Sequence, residues 1–175
     1  MKPFSLRLVR IATAALMFSC LPAAIAFDRY WDGTDSTADA DGGTGTWDTV
    51  TSNWDDLATG GLDSLFTAGD NVFFGGTAGT VSTAAAFSAG TVTFNTSGYS
   101  IDTGANAMTW ATLAGTGGFT KAGAATLTLT NASTASGNVT INAGRITLGN
   151  NTALGTTAVT LNGGTIERNV AGATV

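Results

Sequence analysis

From residue 71 onward, apolar residues come in pairs two positions apart, with a single residue, most often Thr, between the partners. The pairs are Val72/Phe74, Val92/Phe94, Leu127/Leu129, Val139/Ile141, Ile146/Leu148 and Val159/Leu161. Alternation with period two predicts strands with one apolar face, because successive side chains of an extended chain point to opposite sides. Gly or Asn interrupts every few residues. The predicted strands are therefore short, the turns are tight, and no helix of ordinary length is expected after residue 27.

The pattern also repeats. Val-Thr-apolar-Asn occurs at Val92–Asn95, Val139–Asn142 and Val159–Asn162. The last two copies are closely spaced, and their match runs on. Over positions 139–146 and 159–166, five of eight columns are identical. Val72 to Val92 and Phe74 to Phe94 show the same offset as Val139 to Val159. Hairpins also alternate, but they leave no long-range identity at a fixed spacing. A recurrence of about 20 residues is the mark of a solenoid whose turns are single structural units. The expected fold is all-β, a right-handed parallel β-helix with about 20 residues in each three-sided coil. At about 4.8 Å between coils, residues 71–175 would make about five coils.

This reading assigns roles. Val92, Phe94, Val139, Ile141, Val159 and Leu161 face inward, and the intervening Thr faces out. Asn95, Asn142 and Asn162 mark corners, where Asn tolerates left-handed φ and bonds the nearby backbone. Gly144 and Gly164, in matching columns, would relieve strain at the same corner. In-register stacking would set Asn142 over Asn162 as an amide ladder; an ordinary solvated turn is the alternative. The step from the first copy, at Val92, to the second, at Val139, is no multiple of the later offset. Uneven coils are therefore expected between them.

Residues 1–26 read differently. Lys2, Arg7 and Arg10 precede an apolar run from Ile11 to Leu21, then Pro22 and the small-x-small triplet Ala24-Ile25-Ala26. This predicts a secretory signal peptide cleaved after Ala26. A run of about 11 residues is short for a membrane span, which takes about 20. Cys20 raises a lipoprotein alternative, but Met17-Phe18-Ser19 before it fits acylation poorly.

Cleavage removes three of the seven basic residues and leaves four against 12 acids, a net charge of −8 with no Cys or His. That balance argues against nucleic acid, whose phosphates need clustered Lys and Arg. Without disulfides, stability must come from backbone pairing and core burial. Residues 27–70 form an acidic, Trp-containing lead-in: they hold ten of the 12 acids and three of the four Trp. Residues 71–175 form the expected solenoid.

Gly115-Thr-Gly-Gly-Phe-Thr-Lys-Ala-Gly-Ala-Ala-Thr-Leu-Thr-Leu-Thr130, followed by Val139-Thr-Ile-Asn-Ala-Gly-Arg-Ile-Thr-Leu148, closely resembles the autotransporter-associated β-strand repeat, or passenger-associated transport repeat. Phe119 stands for the usual Leu, Ala135 for the usual Tyr, and Ala125 where Gly is common. The resemblance is clearest over 113–166. Upstream, Tyr30-Trp-Asp-Gly33, Gly45-Thr-Trp-Asp48 and Asn53-Trp54 are similar to the Trp-containing lead-in of such proteins. The family implies an exported β-helical passenger, with an outer-membrane translocator or a sorting tail in a full-length chain. Neither is found in this sequence, which stops at Val175 inside a further expected coil and is read as an N-terminal portion.

Candidate chemistry is sparse. The acidic stretch from Asp32 to Gly43, with Asp35, Asp39 and Asp41 as the candidate ligands, resembles part of a calcium loop, though the closing bidentate Glu is missing. The competing reading is a solvated acidic loop. Trp31, Trp47 and Trp54 could stack on sugars, or plug the open end of the solenoid; the plug is the preferred reading. The absence of His excludes a Ser-His-Asp site, and residues 71–175 carry only five charged side chains. The chain is therefore expected to be a non-catalytic, cofactor-free surface or passenger segment with a structural or adhesive role, meeting an extracellular glycan or cell-surface partner. A polysaccharide-degrading β-helix enzyme and a calcium-stabilised adhesin are the alternatives.

Overall fold

A computed structural model describes residues 25–34, 37 and 39–169 of the chain. Residues 1–24 of the expected signal segment, and Asp35, lie outside the described residues. The strands in chain order are β1 (Asp28–Trp31), β2 (Gly45–Trp47), β3 (Trp54–Asp55), β4 (Asp63–Ser64), β5 (Asn71–Phe74), β6 (Thr80–Thr83), β7 (Phe87–Phe94), β8 (Tyr99–Asp102), β9 (Met108–Ala114), β10 (Phe119–Ala122), β11 (Thr126–Leu129), β12 (Val139–Ile141), β13 (Arg145–Leu148), β14 (Val159–Leu161) and β15 (Thr165–Arg168). No helix occurs among the described residues.

The strands build a parallel β-solenoid. One side is the six-stranded sheet β14-β12-β10-β8-β6-β2. Its inward column runs Val81, Ile101, Lys121, Ile141, Leu161, at a constant step from coil to coil. A second side carries Phe87, Met108, Leu127, Ile146 and Ile166 in register. A third carries Val72, Val92 and Leu113. The long strands β7 and β9 run across the last two sides: Phe87–Ala89 pair with Met108–Trp110, and Thr91–Thr93 with Thr112–Ala114. Each coil is thus three-sided and takes about 20 residues, as the periodicity predicts.

Registers also show where that prediction needs correction. Val92 and Phe94 lie on the third side, whereas Val139/Ile141 and Val159/Leu161 lie in the six-stranded sheet. The three Val-Thr-apolar-Asn copies are not equivalent. The step from Val92 to Val139 is two coils, Tyr99 to Phe119 to Val139, plus the stretch from Val92 to Tyr99 in which the chain enters the six-stranded sheet. The coils are even; the motif changes side.

The corner residues also differ from expectation. Among described non-glycine residues only Ala40 has positive φ, so Asn95, Asn142 and Asn162 keep ordinary backbone. Gly144 takes the left-handed conformation, φ +69°, but Gly164 does not. What Gly164 supplies is room: a Cβ there would meet Ile141 Cγ2 at 2.3 Å. Asn162 Nδ2 donates to Asn142 Oδ1 at 3.0 Å across the coils.

Inside, apolar columns stack coil over coil. Phe74 lies on Phe94 (4.9 Å, 12°) and Phe94 on Phe119 (4.7 Å, 9°), a continuous file of parallel rings. Val92, Phe94, Val139 and Ile141 are buried. Val159 and Leu161, in the last described coil, are 36% and 55% exposed. Burial of this stripe is the main favourable term, at roughly 25 cal/mol per Å² of apolar surface.

At the other end the parallel stack stops. β1 pairs parallel with β5 but antiparallel with β3, which pairs antiparallel with β4. Trp31, Trp47 and Trp54 are fully buried there. Trp54 packs edge to face with both of the others, at ring centroid distances of 4.8 Å and 5.2 Å. Phe66 and Phe74 join them. A buried ring leaves no free face for a sugar. Trp31 Nε1 donates to Gly43 O, while the indole N–H groups of Trp47, Trp54 and Trp110 are buried without partners. Close ring packing wins over the cost of those N–H groups, because a ring of this size buries roughly 150–250 Å².

Candidate functional site

Of the predicted calcium ligands, Asp39 and Asp41 come together with Asp32, with one carboxylate oxygen from each within 4.8 Å of the others. Asp32 is also grouped with Asp55 and Asp63 within the same spacing. The last two were not predicted. They face each other across the β3–β4 pair, an antiparallel register that no periodicity signals. Such a cluster offers hard oxygen ligands, and two of its oxygens also brace the loops. Asp32 Oδ1 accepts from Asp41 N (3.2 Å), and Asp55 Oδ2 accepts from Ala40 N (2.6 Å). Burial pushes the Asp55 carboxyl up despite its backbone donors, and Asp63 and Asp39 add to the effect.

A second constellation gathers on Asp70, which is 2% exposed. Its carboxylate accepts from Phe27 N (3.0 Å) at Oδ1, and from Arg29 Nε (3.2 Å) and Thr67 N (3.0 Å) at Oδ2. Phe27 O in turn accepts from Asn71 N (2.9 Å), and the Arg29 guanidinium lies over the Phe27 ring at 5.3 Å. The strand that opens the solenoid is tied to the turn before β5 by one carboxylate.

The outer face of the six-stranded sheet carries hydroxyls in register: Thr80, Ser100, Thr120, Thr140 and Thr160. Beside this file runs an open groove of about 370 Å³. Ser97, Thr116, Ser136, Asn138 and Thr140 line it, with Phe119 at its base and no charged side chain. Beside the groove the coils approach closely at Gly117, Gly118 and Gly137. A Cβ on Gly137 would lie 2.2 Å from Gly117 O, and one on Gly118 would lie 2.3 Å from Asn138 O.

The remaining charges of the solenoid are spoken for. Asp102 Oδ1 accepts from Gly104 N, and Arg145 meets Glu167 at 2.7 Å across adjacent coils. Arg168 donates to Asn151. Lys121 occupies the inward column between Ile101 and Ile141 and is fully buried. Its ammonium bonds the carbonyls of Ala122 (2.6 Å) and Gly123 (2.9 Å) at the coil corner.

Fold and surface together define a parallel β-solenoid whose in-register coils present hydroxyl files and a shallow uncharged groove. Residues 119–148 match the passenger-associated-transport-repeat family. Over 156 aligned residues, covering 77% of the chain, the sequence is 38% identical to the protein named "Adhesin BmaC autotransporter" of Brucella suis biovar 1 (strain 1330). The chain spans about 4% of that relative's length. No solved structure matches the chain.

Proposed function

We propose that the chain is an exported, non-catalytic rod segment of a bacterial surface adhesin of the autotransporter type. The observation that carries this is the coil-over-coil parallel register through a passenger-associated transport repeat, in a sequence similar to an autotransporter adhesin. In this reading the apolar columns make a self-supporting rod, the antiparallel β1–β3–β4 end caps it, and the outer face makes contacts. A translocator or sorting tail elsewhere in a longer protein would place it at the cell surface, after a signal peptide has been removed behind Ala26.

The partner proposed for the outer face is a neutral glycan. Hydroxyls and amides that repeat along the rod can exchange hydrogen bonds with a chain of sugar hydroxyls, and the groove carries no charge to select an ion. Lack of catalysis along the solenoid is supported by the charge inventory there. Asp102 and Glu167, the two acids described in residues 71–169, lie in different sheets and are engaged by Gly104 and Arg145. Glycoside hydrolysis needs two carboxyls facing one bond, about 5–10 Å apart.

Glycan-array screening followed by calorimetry on the exported protein tests the reading. Weak binding of neutral oligosaccharides is expected, lost when Thr120 and Thr140 are both changed to Lys. Turnover of any polysaccharide, or binding unaltered by the double change, would reject it.

A further inference from the structure

We infer that removal of the signal segment creates the cap's final fastening: the new α-ammonium of Phe27 pairs with the buried carboxylate of Asp70. This rests on the proposed cleavage after Ala26. Hydrogen bonding to the folded body begins, among the described residues, at Phe27, whose nitrogen is already 3.0 Å from Asp70 Oδ1. Ile25 is 77% exposed. The predicted scissile bond therefore falls at the boundary between unattached and attached backbone.

Cleavage adds water across the Ala26–Phe27 peptide bond. Ala26 leaves as a carboxylate, and the Phe27 nitrogen keeps its electron pair and takes up protons to become an ammonium. The agent is an endopeptidase of the export machinery acting before folding. The product places a full positive charge where a neutral N–H sat, against a carboxylate that is 2% exposed. Charge-assisted hydrogen bonds are roughly twice as strong as neutral ones.

The surroundings accept the change. Residues 25 and 26 help line a cavity of about 120 Å³ beside Phe27, Thr67 and Asp70. Their removal opens room for two further ammonium protons to meet water or the second carboxylate oxygen. Arg29 Nε already sits 3.2 Å from Asp70 Oδ2, so the carboxylate would lie between two cations, while Asp28 is turned aside to Asn71 Nδ2 at 3.0 Å. Because β1 is the first strand of the nine-stranded sheet to pair in parallel with the solenoid, the latch tightens the cap only in the processed protein.

The test exports the full chain from a bacterium, beside a variant with Gln inserted between Ala26 and Phe27 and the variant Asp70→Asn. N-terminal sequencing should find Phe27 first. Its α-amine should titrate at least about one unit above the ordinary value near 8 and react about tenfold more slowly with amine reagents at pH 8. The processed parent should melt about 2–5 °C above the Gln-inserted protein, whose charge sits one residue out. Asp70→Asn should abolish both effects. The insertion keeps Asp70 in place, so the comparison holds even where Asp70→Asn fails to fold. A product that starts at Phe27 with an ordinary amine and an unchanged melting temperature would overturn the latch and leave the cleavage standing. A product that starts elsewhere would overturn both.

Discussion

Lys121 Nζ lies 2.9 Å from the carbonyl oxygen of Gly123, reached from inside the coil. The side chain leaves the inward column between Ile101 and Ile141 and bends to the corner, where its ammonium neutralises two carbonyl dipoles. Burial pushes the amine below its usual range, with Asp102 opposing the shift.

Two substitutions separate the stem from the charge. Lys121→Met keeps the packed methylenes and should stay within about 1 kcal/mol of the parent, because loss of the carbonyl bonds offsets relief of the buried cation. Lys121→Ala opens a cavity and should cost about 2–4 kcal/mol. Urea unfolding midpoints measure both, and equal losses would mean that the ammonium, not the stem, holds the site.

Coil spacing can be probed at two glycines. At Gly137 a Cβ would lie 2.2 Å from Gly117 O and 2.3 Å from Gly117 C, both backbone atoms of the neighbouring coil. Gly137→Ala should cost about 3 kcal/mol, since the coils must part to admit it. Gly75 has open space around its Cβ position and no positive φ, so Gly75→Ala should change stability by about 0.5 kcal/mol or less. Similar melting temperatures for the two variants would contradict the stacking.

Tyr99 makes stability depend on alkaline pH. Its hydroxyl donates to Gly75 O (2.5 Å) and Thr77 O (2.9 Å), and burial pushes its pKa up to about 12. A pKa raised on folding means that the native state holds the proton more tightly. The contribution is complete below the unfolded value near 10 and is lost as pH rises toward 12. The stability advantage of the parent over Tyr99→Phe should therefore shrink between pH 9.5 and about 11.5 in guanidinium titrations. Lys121 works in the opposite direction: its lowered pKa makes the fold gain as pH climbs toward 10.5. Comparing the two proteins at each pH cancels that trend.

Asp55 and Asp63 stand opposite each other across β3–β4. Like charges so placed destabilise a sheet pair, so Asp63→Asn should raise stability by about 0.5 kcal/mol in low salt. The gain should fade at about 1 M salt, where screening acts within about 3 Å. Thermal melts in EDTA and in calcium complete the test. A calcium-dependent rise in the parent that Asp63→Asn abolishes would mean that the carboxylates hold an ion rather than simply repel.

Much of this architecture was legible in the chain. The alternation at Val139/Ile141 and Val159/Leu161, with its regular return, defines strand, coil length and inward face, because a parallel stack must place like residues over like. Trp31, Trp47 and Trp54 are buried beside the antiparallel strands β1, β3 and β4. Side assignment was not legible. Val92-Thr-Phe-Asn95 has the same local pattern as the later copies, and only the pairing of β5 with β7 puts it on another side.

Local pattern alone therefore determined that the strands are short, have one apolar face and, in the closing copies, return after about 20 residues. It read the stretch between Val92 and Val139 as uneven, and only the strand registers showed the steady step. Tertiary structure decided what residues far apart in sequence do to each other. It set Asp55 against Asp63 in an antiparallel pair, buried Lys121 in the inward column, and brought Asp70 to Phe27 from the far side of the lead-in. Those contacts depend on the closing of the coil and the turning of the cap, and a one-dimensional period carries no record of either.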